Sequence, residues 1–166
     1  DQNYYALELR TEWAVAIKKR RPLCHTVIGD CQNGIPFPDG YFDRILTIHV
    51  LEHLHNLPSA LEEIKRVMKK DGQFCVVIPC EGEMFYSMCH AVSTKRMFEK
   101  KYKQDFDWLI KSEHLNCVSE LLEEIPKHFT VINSAYFPFF FPILQINLCI
   151  GLTLKKTEGA PTEKTA

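Results

Sequence analysis

The stretch IGDCQNGIPFPDGYFDRILTIHVLEHLHN, residues 28–56, carries the information that decides the fold. It opens on the end of an apolar run and on an acid, Asp30. A loop punctuated by Gly34, Pro36, Pro38 and Gly40 follows, then an aromatic anchor, Phe42, and an acid, Asp43, that opens a second apolar run. That run ends in polar residues between Ile48 and His53. Strand, loop and strand in this order belong to open α/β sheets, which bind ligands outside the carboxyl ends of their strands. Asp30 and residues 48–53 are therefore expected to line one crevice.

Outward from this stretch, strand and helix signals alternate. Residues 3–9 read as a short buried strand that brings Glu8 to the same crevice, and residues 12–20 read as a helix stopped by Pro22. Residues 24–30 form the next strand, and residues 43–51 form another that runs on into a helix. An amphipathic helix over 57–72 is expected to close at Gly72. The nearly continuous apolar run 73–79 predicts a strand buried on both faces, as in parallel sheets. A helix over 119–129 and two strands, 129–137 and 146–156, complete the chain. Helices between strands mean right-handed crossovers. The expected fold class is therefore α/β, a Rossmann-like, mostly parallel sheet with helices on both faces. The last two strands lack an intervening helix and predict one antiparallel strand at the edge. Residues 1–154 form one domain, and 155–166, polar and turn-rich, read as a disordered tail.

Composition narrows the partners. The 166 residues carry 20 Lys+Arg against 21 Asp+Glu, a formal net charge of −1. No one-signed field draws the chain to nucleic acid or to an anionic bilayer, so any anion site is local. Seven cysteines without a C-x-x-C pair predict reduced thiols and no structural metal. The first residues lack the basic and apolar run of a signal peptide, which predicts a cytoplasmic location. Residues 135–154 are rich in Phe but broken by Pro138 and Pro142 and interrupted by Gln145 and Asn147. They read as a strand with a hydrophobic loop and not as a transmembrane segment.

GDCQNGIPFPDGYFDRILTIHVLEHL, together with LEEIKRVMKKDGQFCVVIP at 61–79, resembles the post-adenine, fourth-strand and fifth-strand motifs of class I S-adenosylmethionine-dependent methyltransferases, type 11 branch. The resemblance implies S-adenosylmethionine as cofactor. It implies that Glu8 accepts from the ribose hydroxyls, that Asp30 accepts from the adenine amino group, and that the Cys31 amide faces the ring. Ile48 and His49 fall where the family meets the methionine part of the cofactor and the incoming substrate. Two oxygens in one plane suit a carboxylate to these tasks. A strand-end carboxylate at Glu8 and an Asx turn from Asp30 to Asn33 or Gly34 are the local alternatives.

His49, Glu52 and His53 also resemble the E-x-x-E-H metal motif of some relatives, with His49 in place of the first acid. That exchange disfavours a hard cation, and no metal is assigned. On a helix starting near Val50, His49 and His53 are expected to share a face. His53 is the candidate general base, with Glu52 to orient it, against the alternative of a helix-capping histidine. Residues 80–114, with six aromatics and several bases, occupy the family's substrate-lid position.

None of the seven glycines forms the family's G-x-G-x-G loop, and its first strand is expected between strands 3–9 and 43–49. The first strand therefore reads as missing, and the chain as a fragment prone to oligomerise. The implied function is methyl transfer to a small-molecule or saccharide acceptor, with no nucleic-acid module. The alternative is a non-catalytic, methyltransferase-like interaction domain.

Overall fold

The computed structural model describes residues 3–81, 84–92 and 94–157. The first unit is a parallel β–α–β: β1 (Tyr5–Glu8), α1 (Thr11–Arg20) and β2 (His25–Ile28), with Tyr5 opposite His25 and Glu8 opposite Ile28. β3 (Phe42–Ile48) leads through a single 3-10 turn, Leu51–His53, to α2 (Leu57–Val67) and β4 (Met68–Pro79). Three short helices follow: α3 (Met84–Val92), α4 (Thr94–Tyr102) and α5 (Phe106–Glu113). The chain then forms α6 (Val118–His128), β5 (Phe129–Phe137), a 3-10 turn at Leu144–Ile146 and β6 (Cys149–Lys156).

α2 forms where it does because Leu57, Ala60, Leu61, Ile64 and Val67 recur at helical spacing and are all buried. The Asn56 side chain accepts the Ser59 amide at 3.2 Å to cap it. α6 presents Val118, Leu121 and Ile125 in the same way, and its first turn is closed by Glu120, whose carboxylate accepts the Cys117 amide at 2.8 Å. Both helices pack on alternate residues of the sheet, Phe74, Val76 and Ile78 from β4 and Ile150, Leu152 and Leu154 from β6, to make the core.

The four-stranded sheet has the order β3-β4-β6-β5. β4 runs parallel to β3, and β6 runs antiparallel to both β4 and β5. The reversed strand is thus interior, not at the edge as the sequence suggested. β6 alternates buried Ile150, Leu152 and Leu154 with small or half-buried residues, which suits pairing on both sides. β5 is exposed from Thr130 to Ala135 and takes the edge.

Three further expectations are corrected. β4 is not buried on both faces: Phe74, Val76 and Ile78 are buried, whereas Cys75 and Val77 are only half-covered, so among the described residues α2 and α6 cover one face of this sheet. α2 ends at Val67, not at Gly72. The register passes from Phe42↔Met68 to Arg44↔Gln73, so residues 69–72 bulge out of β4. Gly72 is needed there for close approach, because a Cβ would lie 2.7 Å from Met68 Cγ and 3.2 Å from the Asp43 carbonyl. The segment after β3 is one 3-10 turn and not the start of a helix. β6 ends at Lys156, where the expected strand 146–156 ends, and its Lys155 and Lys156 pair with Thr130 and Phe129 of β5; residues 158–166 of the expected tail lie outside the described residues.

β1 pairs only with β2, and β3 only with β4, among the described residues. The two sheets meet through rings: Tyr5 packs edge-on to Phe37, Tyr41 and Phe42 at centroid distances of 5.2 to 5.7 Å.

Candidate functional site

β1, β2 and β3 run parallel within their sheets, and the candidate residues sit at their carboxyl ends. Glu8 closes β1 with a half-buried carboxylate that has no hydrogen-bond or ion-pair partner among the described residues. Its backbone carbonyl accepts the Gly29 amide at 3.0 Å, which sets Glu8 beside the Gly29–Asp30 turn. Asp30 behaves locally as the Asx alternative described. Its Oδ1 accepts the Gln32 amide at 2.9 Å, and its Oδ2 accepts Asn33 Nδ2 at 3.0 Å. Burial, and next the Asp30 charge, push the Cys31 thiol up from its ordinary value, so it stays protonated.

A clamp from α2 fixes the loop that follows. The Arg66 guanidinium donates to both Glu63 oxygens at 2.8 Å, to the carbonyls of Ile35 and Phe37 at 2.7 and 2.9 Å, and to Asp39 at 2.7 Å. Glu63 in turn accepts the Ile35 amide at 2.8 Å. These contacts hold the Glu63 carboxyl down at about 2, Arg66 being the first cause and the Ile35 amide the second.

At the end of β3, Ile48 is 53% exposed and His49 adopts φ 52°, a left-handed conformation that costs a residue with a Cβ. His49 Nδ1 lies 3.2 Å from Glu52 Oε1. Glu52 is 1% exposed, and its Oε2 has no partner among the described residues. The segment after α5 is stapled to this turn. The Glu52 carbonyl accepts the amides of Leu115 and Asn116 at 2.7 and 3.1 Å, and Asn116 Nδ2 donates to the carbonyls of Leu51 and Leu54.

His53 Nδ1 lies 2.8 Å from the Glu113 carbonyl, which can only accept. Nδ1 is therefore the donor, and in the neutral ring the lone pair sits on Nε2. The His114 ring stands edge-on to His53 at 4.5 Å, and His114 Nδ1 is hydrogen-bonded to the Glu81 carboxylate. That bond to Glu81 raises the His114 pKa, against the opposing effect of burial. Burial, then the charges of Glu81 and Glu52, push the Tyr86 hydroxyl up to about 12.

The fold thus brings Glu8, Asp30 and Cys31 together at the end of the first unit, and His49, Glu52 and His53 together at the end of β3. It does not put His49 and His53 on one face: one turns to Glu52, the other to Glu113 and His114. Sequence reasoning passed over Glu81, His114 and Asn116. The signal was present, since EHLHN at 52–56 is echoed by EHLN at 113–116, and the two copies bind each other. A cavity of about 720 Å³ lined by Asp39, Gly40, Lys65, Arg66 and Lys156 among others lies at the opposite end of the sheet and contains none of these candidates.

A parallel β–α–β unit beside a mixed sheet with an interior reversed strand, and with acids and histidines gathered at the carboxyl ends, makes a Rossmann-like α/β fold. Residues 2–76 match the profile of a methyltransferase domain family, type 11.

The chain is 32% identical over 104 residues to an uncharacterized methyltransferase of Schizosaccharomyces pombe, a match covering 59% of this chain and 34% of that protein. It spans about a quarter to a third of the length of the curated relatives it matches. Among solved structures, an S-adenosylmethionine-dependent methyltransferase of Mesorhizobium loti shares the fold with TM-score 0.63 and 12% identity, over 92% of this chain and 80% of that one. The 1,6-didemethyltoxoflavin-N1-methyltransferase of Burkholderia thailandensis does so with TM-score 0.56 and 17% identity, over 93% and 61%.

Proposed function

We propose that the protein transfers a methyl group from S-adenosylmethionine to a small-molecule or saccharide acceptor, with the cofactor lying across the carboxyl ends of β1, β2 and β3. The observation that carries this reading is Glu8. Its carboxylate is engaged by no side chain or amide among the described residues and is free to accept from a ligand, and the paired hydroxyls of a ribose supply two donors. Asp30 and the Cys31 amide, set in a turn that Gln32 and Asn33 hold closed, are offered to the adenine edge. Ile48 gives an exposed apolar wall to the methionine part, and His49, in its left-handed conformation, turns the chain away behind it. When bound, the cofactor supplies an activated methyl group on a sulfonium.

Everything else falls to the chain's own residues. Positioning of the acceptor provides most of the rate for such a transfer. His53, with Nδ1 pinned by the Glu113 carbonyl and Nε2 open, is the group we assign to take the acceptor's proton. The unpartnered Glu52 Oε2 is a further acceptor for a donor on a bound ligand.

The cofactor crevice is completed, in this reading, by one further strand between β1 and β3, whose facing edges carry no partner among the described residues. The test is methyl transfer from tritiated S-adenosylmethionine to a panel of sugars, sugar nucleotides and small hydroxyl and amine compounds. An acceptor is expected among them, and His53→Ala is expected to lower kcat about 100-fold or more, the usual share of a general base. Undiminished turnover in that variant would return His53 to a capping role.

A further inference from the structure

We infer that the loop between β5 and β6 is a membrane-surface docking device, which seats the candidate site against a bilayer bearing anionic lipid. The loop displays Phe139, Phe140, Phe141 and Ile143, with Phe140 79% and Phe141 64% exposed. Such exposure would be unremarked in a loose loop, but this one is held rigid. Asn147, fully buried, donates to the carbonyls of Phe141 and Ile143 at 2.8 and 2.7 Å and accepts the Phe139 amide at 3.2 Å. The Phe140 amide donates to the Tyr136 carbonyl, and Phe140 is kept at φ 62°, a strained conformation for a bulky residue. A buried amide spends all three of its bonds holding strained backbone, and the result is apolar rings in water. Contiguous exposed apolar surface of this kind marks an interaction site.

Shape and charge choose the occupant. The rings stand at the tip of a turn between two antiparallel strands, a protrusion suited to entering an interface and not a groove that would receive a partner's side chain. Phe85 of α3 meets Phe139 edge-on at 5.3 Å, which ties the loop to the α3–α5 segment. Next to α3, α4 and the residue after it expose Arg96, Lys100, Lys101 and Lys103, and α4 also exposes Met97. Rings that insert, flanked by bases that meet headgroup phosphates, are the arrangement by which a protein lies on a bilayer without crossing it. No helix of the described residues is long and apolar enough to cross. β5 runs in the same direction as β3 and β4, so the loop leaves the sheet at the same end as His49 and Glu52, on the far side of β4 and β6. A docked molecule would open its candidate site toward the lipid surface. This inference does not rest on the assignment of methyl transfer.

The experiment is co-sedimentation of the intact protein with phosphatidylcholine vesicles with and without 30% phosphatidylglycerol as the anionic component, about a third being ample to attract a basic cluster. Binding is expected to the anionic vesicles and to weaken with salt. Phe140→Ser/Phe141→Ser, which removes only exposed rings and should leave the melting temperature unchanged, is expected to weaken partitioning about tenfold or more. Lys100→Glu/Lys101→Glu, with the rings intact, is expected to weaken binding to anionic vesicles and leave neutral vesicles unaffected. Absence of binding to either vesicle overturns the inference, as does equal binding by the serine variant. If sedimentation velocity shows a dimer that the serine variant dissolves while vesicle binding is absent, the rings face a second copy and the inference also fails.

Discussion

Replacing Arg66 by Met is the most informative change to the scaffold, because one side chain holds the whole loop between Asp30 and β3. Arg66 makes five hydrogen bonds, and their worth is unequal. The bond to Asp39, whose side chain is 82% exposed, contributes about 0–1 kcal/mol. The bidentate pair with Glu63 joins side chains 32% and 23% exposed, and the two carbonyl bonds are to a charged donor, worth about 1.5–3 kcal/mol each before solvent screening. Discounted for partial exposure, the sum is about 2–4 kcal/mol.

The same contacts act on the proton chemistry of Glu63. Its pKa falls from 4.5 to about 2, which corresponds to about 3 kcal/mol before the same discount. Because the folded value is the lower, this stability is present above pH 4.5 and is lost as the pH falls toward 2. Urea unfolding followed by circular dichroism should therefore show Arg66→Met less stable by about 2–4 kcal/mol at neutral pH. Glu63→Gln should lose the acid-dependent part of its stability over that window. Hydrogen exchange should quicken at the Ile35 and Phe37 amides in both variants. A cost for Arg66→Met below about 0.5 kcal/mol, the level of an ordinary surface change, would refute the clamp.

Other changes probe other parts. Gly72→Ala should destabilise by about 1–3 kcal/mol, measured in the same denaturation assay, because the added methyl meets Met68 Cγ and two backbone oxygens. His114 has its pKa raised by its bond to Glu81, against the opposing effect of burial, with the charges of Glu52 and Glu113 acting in the same sense as Glu81. The stability this charged pair contributes is therefore fully present below the ordinary histidine value and is lost as the pH rises through the raised one. Hydrogen exchange at Leu115 and Asn116 should accelerate over that rise, and Glu81→Gln should abolish the step; a step that survives in the variant would place its origin elsewhere.

Much of this was legible from the sequence because it follows from periodicity and punctuation. The spacing of Leu57, Leu61 and Ile64 and the apolar run at 73–79 specify the elements, and the strand-end positions of Glu8, Asp30 and His49 follow from the order of elements. What was not legible depends on contacts distant in sequence. β6 lies inside the sheet because its pairing residues match both β4 and β5, a comparison that no single strand reveals. The end of α2 at Val67 and the bulge at 69–72 arise from pairing with β3, which outweighs the local signal of Lys-Lys-Asp-Gly as a helix stop. Glu81 and His114 are 33 residues apart and meet only because Asn116 staples the segment after α5 to the turn after β3. The buried orphan on Glu52 could not be foreseen, since a carboxylate in a 3-10 turn ordinarily faces water.

The central claim is that S-adenosylmethionine lies against Glu8 and Asp30, and equilibrium binding of S-adenosylhomocysteine to the intact protein by calorimetry tests it most directly. The account predicts measurable binding that weakens about tenfold or more in Glu8→Ala, the loss of about 1.4 kcal/mol or more expected when a charge-assisted pair of bonds is removed. It also predicts a smaller loss in Asp30→Asn, which keeps the turn. Binding undiminished in Glu8→Ala, or no binding by a folded intact protein, would contradict the account.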